Sequence, residues 1–211
     1  MKIDRPLDEV EIRVLGALLE KQQSTPDYYP LTLKSLRSAC NQSTSREPVM
    51  DLDDDQIASA VERLQELGLV WRIRGTRADR FEHNLDDRWA LSPELKAVMT
   101  LLMLRGPQTP GELRSRSERL YRFESVSAVE ETLEEEARSN EPLVRELERL
   151  AGQKERRWTH LAGTTVPEVV ARSVESSAVA ESLTSRVDRL EEMLLNLQNR
   201  LEDLERQLGV D

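Results

Sequence analysis

Leu69-Val70-Trp71-Arg72-Ile73-Arg74 alternates in the manner of a β-strand, Gly75-Thr76-Arg77-Ala78-Asp79 turns, and Arg80-Phe81-Glu82-His83-Asn84-Leu85 alternates again. This predicts a hairpin. Working backward, the residues from Asp53 to Leu67 place Ile57, Ala60, Val61, Leu64 and Leu67 on one helical stripe, and Asp53 and Gln56 have capping-box spacing. Gly68 stands where a left-handed C-terminal cap is expected. Before them, a helix over 7–23 carries Val10, Val14, Leu15, Leu18 and Leu19, with Glu9, Glu11, Arg13 and Glu20 between. A short second helix follows the capping Thr32 and buries Leu33, Leu36 and Ala39. Three helices and then a hairpin is the winged-helix order.

The order recurs downstream. A helix over 93–105 is stopped by Gly106-Pro107. Thr109-Pro110-Gly111-Glu112 supplies a capping Thr, a Pro at the first helical position and a Glu at the third. A helix over 125–138 points Val126, Val129, Leu133 and Ala137 inward, with Ser127 and Glu130 as a further capping pair. Leu143-Val144 opens a strand and Arg157-Trp158-Thr159-His160-Leu161 closes it. Thr32-x-x-x-Leu36-Arg37 matches Thr109-x-x-x-Leu113-Arg114, and Phe81-x-His83 matches Trp158-x-His160, so the halves are read as a repeat.

Beyond residue 162 the pattern changes. Residues 163–179 read as a linker, and a heptad then runs through 180–209, with Leu183, Val187, Leu190, Leu194, Leu197, Leu201, Leu204 and Leu208 on its seam. Its regularity favours a homodimeric coiled coil; folding back onto the rest of the chain is the alternative. The expected class is mainly α with small β-hairpins: two tandem winged-helix domains, 1–91 and 92–162, followed by a linker and a C-terminal coiled-coil helix.

The strings Glu11-Ile-Arg-Val-Leu-Gly-Ala-Leu-Leu-Glu-Lys-Gln22, Thr25-Pro-Asp27, Tyr29-Pro-Leu31, Ala39-Cys-Asn-Gln42 and Arg46-Glu-Pro-Val49, with 105–114 in the second half, closely resemble the YceH family of uncharacterised bacterial proteins. The resemblance implies a bacterial chain with two winged-helix domains and implies no known activity.

No constellation of catalytic residues is visible. His83 and His160 sit at matching strand positions in separate halves, read as hydrogen-bonding groups at a surface, and Cys40 reads as a small buried side chain. The glycines are scattered as turn residues and form no phosphate loop, and Asp53-Asp54-Asp55 is explained by helix-start electrostatics. Catalytic, cofactor and metal residues are therefore all expected to be none, and the protein is read as a non-enzyme. With no apolar run after Lys2 and Arg5, no 18-residue apolar stretch and a single cysteine, the chain is expected to be cytoplasmic and free of membrane.

Charge sorts what remains. The net charge is −10, and each third helix is acidic: Asp53, Asp54, Asp55, Glu62 and Glu66 face Arg63 alone, and Glu130, Glu131, Glu134, Glu135 and Glu136 face Arg138 alone. The helices that winged-helix proteins commonly set in the major groove would meet phosphate with like charge. Cations collect instead in the hairpins, as Arg72, Arg74, Arg77 and Arg80 in the first and Lys154, Arg156 and Arg157 in the second. These are the candidate nucleic-acid contacts; the competing reading is a solvated surface. Two expectations result: a dimeric protein-interaction module bridging other proteins on or near the chromosome, or a DNA-binding transcriptional regulator docking through arginine wings. Partners are expected to be a second copy and another protein, with nucleic acid as the alternative and no small-molecule substrate. The long loop over 41–52 is a further candidate surface, against a structural reading in which Val49 and Met50 tuck it onto the core.

Overall fold

Asp8 accepts a hydrogen bond from the Glu11 amide while Glu11 reaches back to the Asp8 amide, and this reciprocal cap starts α1, Glu9–Ser24. The computed structural model that shows it describes residues 5–148 and 155–163. After a 3₁₀ turn at Pro26–Tyr28 come β1 (Leu31–Thr32), α2 (Leu33–Cys40) and α3 (Asp54–Glu66). The hairpin is β2 (Val70–Ile73) and β3 (Arg80–His83). A short α4 (Leu85–Trp89) leads into α5 (Pro93–Arg105), α6 (Pro110–Ser117), α7 (Val126–Ala137), β4 (Val144–Leu147) and β5 (Arg157–His160). The described residues are thus mainly helical with two small antiparallel sheets.

Most starts lie where the sequence places them. Thr32, Asp53 and Thr109 each cap their helix through the side chain, and Gly68 sits at φ 66° just past α3, a left-handed position that favours glycine. Ser125, not Ser127, caps α7 by accepting from the Ala128 amide, which turns Val126 out to solvent while Val129 and Leu133 stay buried. Two elements escape the sequence reading. β1 is two residues long, and α4 is five residues with Leu85 and Trp89 buried.

The two hairpins share a strand register. In the first sheet, ordered β1-β3-β2, Phe81 pairs with Leu31 on one side and Arg72 on the other, and His83 pairs with Val70. In the second half Trp158 pairs with Glu146 and bridges Gln108, and His160 pairs with Val144. The Asn84 amide donates to the Leu69 carbonyl (2.8 Å) as the Leu161 amide donates to Leu143 (2.7 Å).

The halves meet through their first helices. α5 is buried on every side from Ala97 to Leu104. It lies so close to α1 that a Cβ on Gly16 would sit 2.9 Å from Leu104 Cδ2 and 3.2 Å from Met103 Cβ. Further links bind the same interface: the Gln23 side-chain Nε2 donates to Thr100 Oγ1 (2.9 Å), the Glu47 backbone amide to the Leu104 carbonyl (2.8 Å), and the Leu7 backbone amide to the Ala162 carbonyl (2.9 Å). One cluster of buried apolar side chains runs from Leu7 to Ala162.

Polar residues that the helical wheel assigns to solvent are inside. Arg13 is buried and donates to the carbonyls of Cys40 (3.1 Å) and Pro48 (2.6 Å). Arg46 is also buried; it donates to the Ala39 carbonyl and forms a two-pronged ion pair with Glu20. Asn41 meanwhile clamps both backbone groups of Leu52. The loop over 41–52 is therefore pinned by Arg46 and Asn41, with Met50 packed on the core and Val49 58% exposed. The coiled-coil reading, including the seam from Leu183 to Leu208, lies outside the described residues, as does Lys154.

Replacing Gly16 with Val should lower stability by about 1–3 kcal/mol, because extra carbon must displace Leu104 and Met103 from a filled interface. Urea denaturation followed by circular dichroism measures it, and an unchanged midpoint would contradict the close α1–α5 approach.

Candidate interaction surfaces

The first hairpin combines exposed apolar and basic side chains. Alternation fixes its two faces: Val70, Phe81, His83 and Leu31 turn to the core, which sends Trp71 and Ile73 outward with Arg80 and Thr32. Trp71 is 51% and Ile73 42% exposed. At the same register the second hairpin carries Arg145 and the half-buried Leu147, so the fold does not itself require an apolar pair there. The sequence reading noticed the arginines and missed Trp71 and Ile73. Strand parity could have found them, since placing Val70 and Phe81 in the core leaves no other side for Trp71.

The candidate arginines differ in what they have free. Arg72 is ion-paired with Asp79, and Arg80 donates to the Pro30 carbonyl (2.7 Å). Arg74 and Arg77 are exposed and make no ion pair among the described residues. In the second hairpin Arg156 pairs with Glu146 (3.1 Å). Arg157 is drawn inward to Glu112 (3.1 Å) and the Pro107 carbonyl (2.9 Å), which makes it a structural tie. Beside β1 a shallow depression is lined by Lys21, Asp27, Tyr28, Ser35 and Arg80, with Tyr28 largely exposed at its rim.

The acidic helices keep their charge outward. On α3, Asp54, Asp55, Glu62 and Glu66 are exposed, and on α7, Glu130, Glu131, Glu134 and Glu135. The one cation of α3 is turned away from that face, because Arg63 donates to buried Glu11 (2.9 Å) and to Asp8 (2.7 Å). Burial alone would raise the Glu11 carboxyl. Hydrogen bonds from the Arg5 guanidinium, the Asp8 amide and Arg63 outweigh that and hold it at about 2. Asp53 is spent as a cap and Asp54 pairs with Arg37 (3.2 Å), so the Asp triplet serves the start of α3.

Neither histidine is at a surface, contrary to the sequence reading. His83 is buried, accepts from the Leu85 amide at Nδ1 (3.2 Å) and lies 2.8 Å from Gln22 Oε1 at Nε2. That pattern requires a neutral ring with its proton on Nε2. Burial brings His83 down to about 4, and burial does the same to His160, whose Nδ1 has no hydrogen-bond partner among the described residues. Cys40 is buried and its thiol is pushed up to about 12, which leaves it unreactive at neutral pH. Among the described residues no group of three or more His, Cys, Asp or Glu is placed to hold a metal ion, and no helix is long and apolar enough to cross a membrane.

Residues 7–153 match the family described as "Protein of unknown function, DUF480". The chain is 44% identical to a UPF0502 protein of Azoarcus sp., covering 94% of this chain and 89% of that one. It is 42% identical to a UPF0502 protein of Cupriavidus taiwanensis (98% and 88%) and 47% identical to one of Leptothrix cholodnii (82% and 78%).

The buried imidazoles set a pH dependence. Their folded values lie below the ordinary 6.5, so between 6.5 and about 4 the unfolded chain holds more protons, and stability falls as pH falls through that window. Glu11, held below its ordinary 4.5, adds a second loss under that value. The denaturation midpoint should be flat from about pH 8 to about 7 and then decline, and His83→Gln with His160→Gln should flatten the first part of the decline. An equal slope in the double variant would refute the assignment.

Proposed function

The chain belongs to the DUF480 family, and on that premise we propose that it is a non-enzymatic tandem winged-helix protein whose task is to hold other proteins. The winged-helix reading is supported by the β2–β3 hairpin that follows α1, α2 and α3, by the sheet order β1-β3-β2, and by the matching registers around Phe81 and Trp158. The observation that carries the interaction reading is the outward acidity of α3 and α7, four exposed carboxylates on each. In the groove of a duplex these would face phosphate at short range, where like charges repel; Arg37 and Arg138 answer only Asp54 and Glu134 among them. Arg63, the one candidate on α3, is engaged with Glu11 and Asp8. Self-association through the heptad segment 180–209 belongs to the same proposal and would present two copies of each surface.

A second reading, a DNA-binding regulator that docks through its wings, is favoured by Arg74 and Arg77 at the tip of the first hairpin, exposed and without an ion pair among the described residues. One titration separates the two. Under the interaction reading, fluorescence anisotropy with random-sequence duplex at about 50 mM salt gives no binding tighter than about 10⁻⁶ M. Nanomolar binding that weakens steeply with salt and disappears in Arg74→Ala/Arg77→Ala would establish the regulator instead. For the dimer, light scattering should give twice the monomer mass, falling to a monomer in Leu190→Lys/Leu197→Lys. A monomeric wild-type chain would remove this part of the proposal.

A further inference from the structure

Resting on the interaction reading, the geometry points to a specific docking strip: the free edge and outward face of β2 receive an extended acidic–apolar segment of a partner protein, which joins the sheet as a further strand beside Val70–Ile73. Three observations converge on it. The strand order β1-β3-β2 leaves β2 outermost, and among the described residues nothing pairs with its far side. An outer strand of this kind offers unpaired amides and carbonyls to an incoming chain. Trp71 and Ile73, two residues apart on one side of that strand, expose apolar surface that an alternating peptide could cover with its own same-side residues. The equivalent hairpin built by the second half puts Arg145 and Leu147 in these places, so stability of the hairpin does not explain the pair.

Charge specifies the occupant. Arg72, Arg74, Arg77 and Arg80 lie within this hairpin against Asp79 and Glu82, and the Asp79 carboxylate is already taken by Arg72. Arg74 and Arg77, continuing directly beyond the strand, have no ion pair among the described residues. A segment alternating Asp or Glu with Val, Ile or Leu would meet both demands, its carboxylates near the arginines and its apolar side chains on Trp71 and Ile73. A second copy of this hairpin would not, because pairing the two edges would bring arginine rows together. Single-stranded nucleic acid could stack on Trp71, but it would leave Ile73 and the strand's backbone groups unanswered.

A phage library of random 12-residue peptides, panned against the full-length chain, tests this. Recovered peptides should alternate acidic and apolar residues and should bind Trp71→Ser/Ile73→Ser at least tenfold more weakly. Arg145→Ala/Leu147→Ser in the other hairpin should bind them as wild type does. Slowed hydrogen exchange at the amides of 70–73 on adding such a peptide would place it at the edge. Three results overturn the proposal: recovered peptides that are basic, affinity that ignores the Trp71/Ile73 change, or a dT20 oligonucleotide that binds at Trp71 and displaces the peptides. Tight duplex binding is read in the separate titration and sinks the interaction reading itself; a peptide affinity indifferent to Trp71 sinks only the strip.

Discussion

Two helices that cross at a glycine hold the described part of this protein together. Because Gly16 lets α1 approach the Met103–Leu104 end of α5, the first helix of each three-helix set packs against the other, and each half completes its core with the neighbour's side chains. α5 is enclosed from Ala97 to Leu104 as a result, with Thr100 buried and accepting from the Gln23 side chain while it donates to the Lys96 carbonyl. The loop over 41–52, pinned by Arg46, reaches the same place and donates from Glu47 to Leu104. The hairpins are carried outward from this centre, and their orientation depends on it.

Electrostatics then divides the molecule. Several arginines are consumed internally: Arg13 and Arg46 on backbone carbonyls and Glu20, Arg63 on Glu11 and Asp8, Arg157 on Glu112. A buried guanidinium is tolerable only when carbonyls or carboxylates answer it, and Arg46 is answered by both. With those cations spent, most of the exposed carboxylates of the third helices go unanswered, while Arg74 and Arg77 of the first hairpin stay exposed beside Trp71 and Ile73. A chain with net charge −10 thus offers, among the described residues, one hairpin that is both basic and partly apolar.

Much of the fold was legible because local chemistry and tertiary demand agree. Thr32, Asp53 and Thr109 cap where their side chains predict, Gly68 terminates α3, and the Phe81-x-His83 and Trp158-x-His160 pairs occupy equivalent registers. The failures have a common cause in contacts between residues far apart in sequence. A helical wheel cannot know that Glu11 will be met by Arg5 and Arg63, or that Arg13 will find carbonyls from a loop 27 and 35 residues away. β1 is too short for a period-2 signal and exists only because β3 pairs with it. The charge distribution of the candidate surfaces was readable from composition, but their apolar part was not. Trp71 looks like a core residue until Val70 and Phe81 are known to claim the inner side.

The amide of Leu7 donating to the carbonyl of Ala162 closes a ring of sorts, fastening one end of the described residues to the other. The halves therefore cannot be traded like beads on a string. Cut between α4 and α5, either half would expose the apolar flank of its first helix to water.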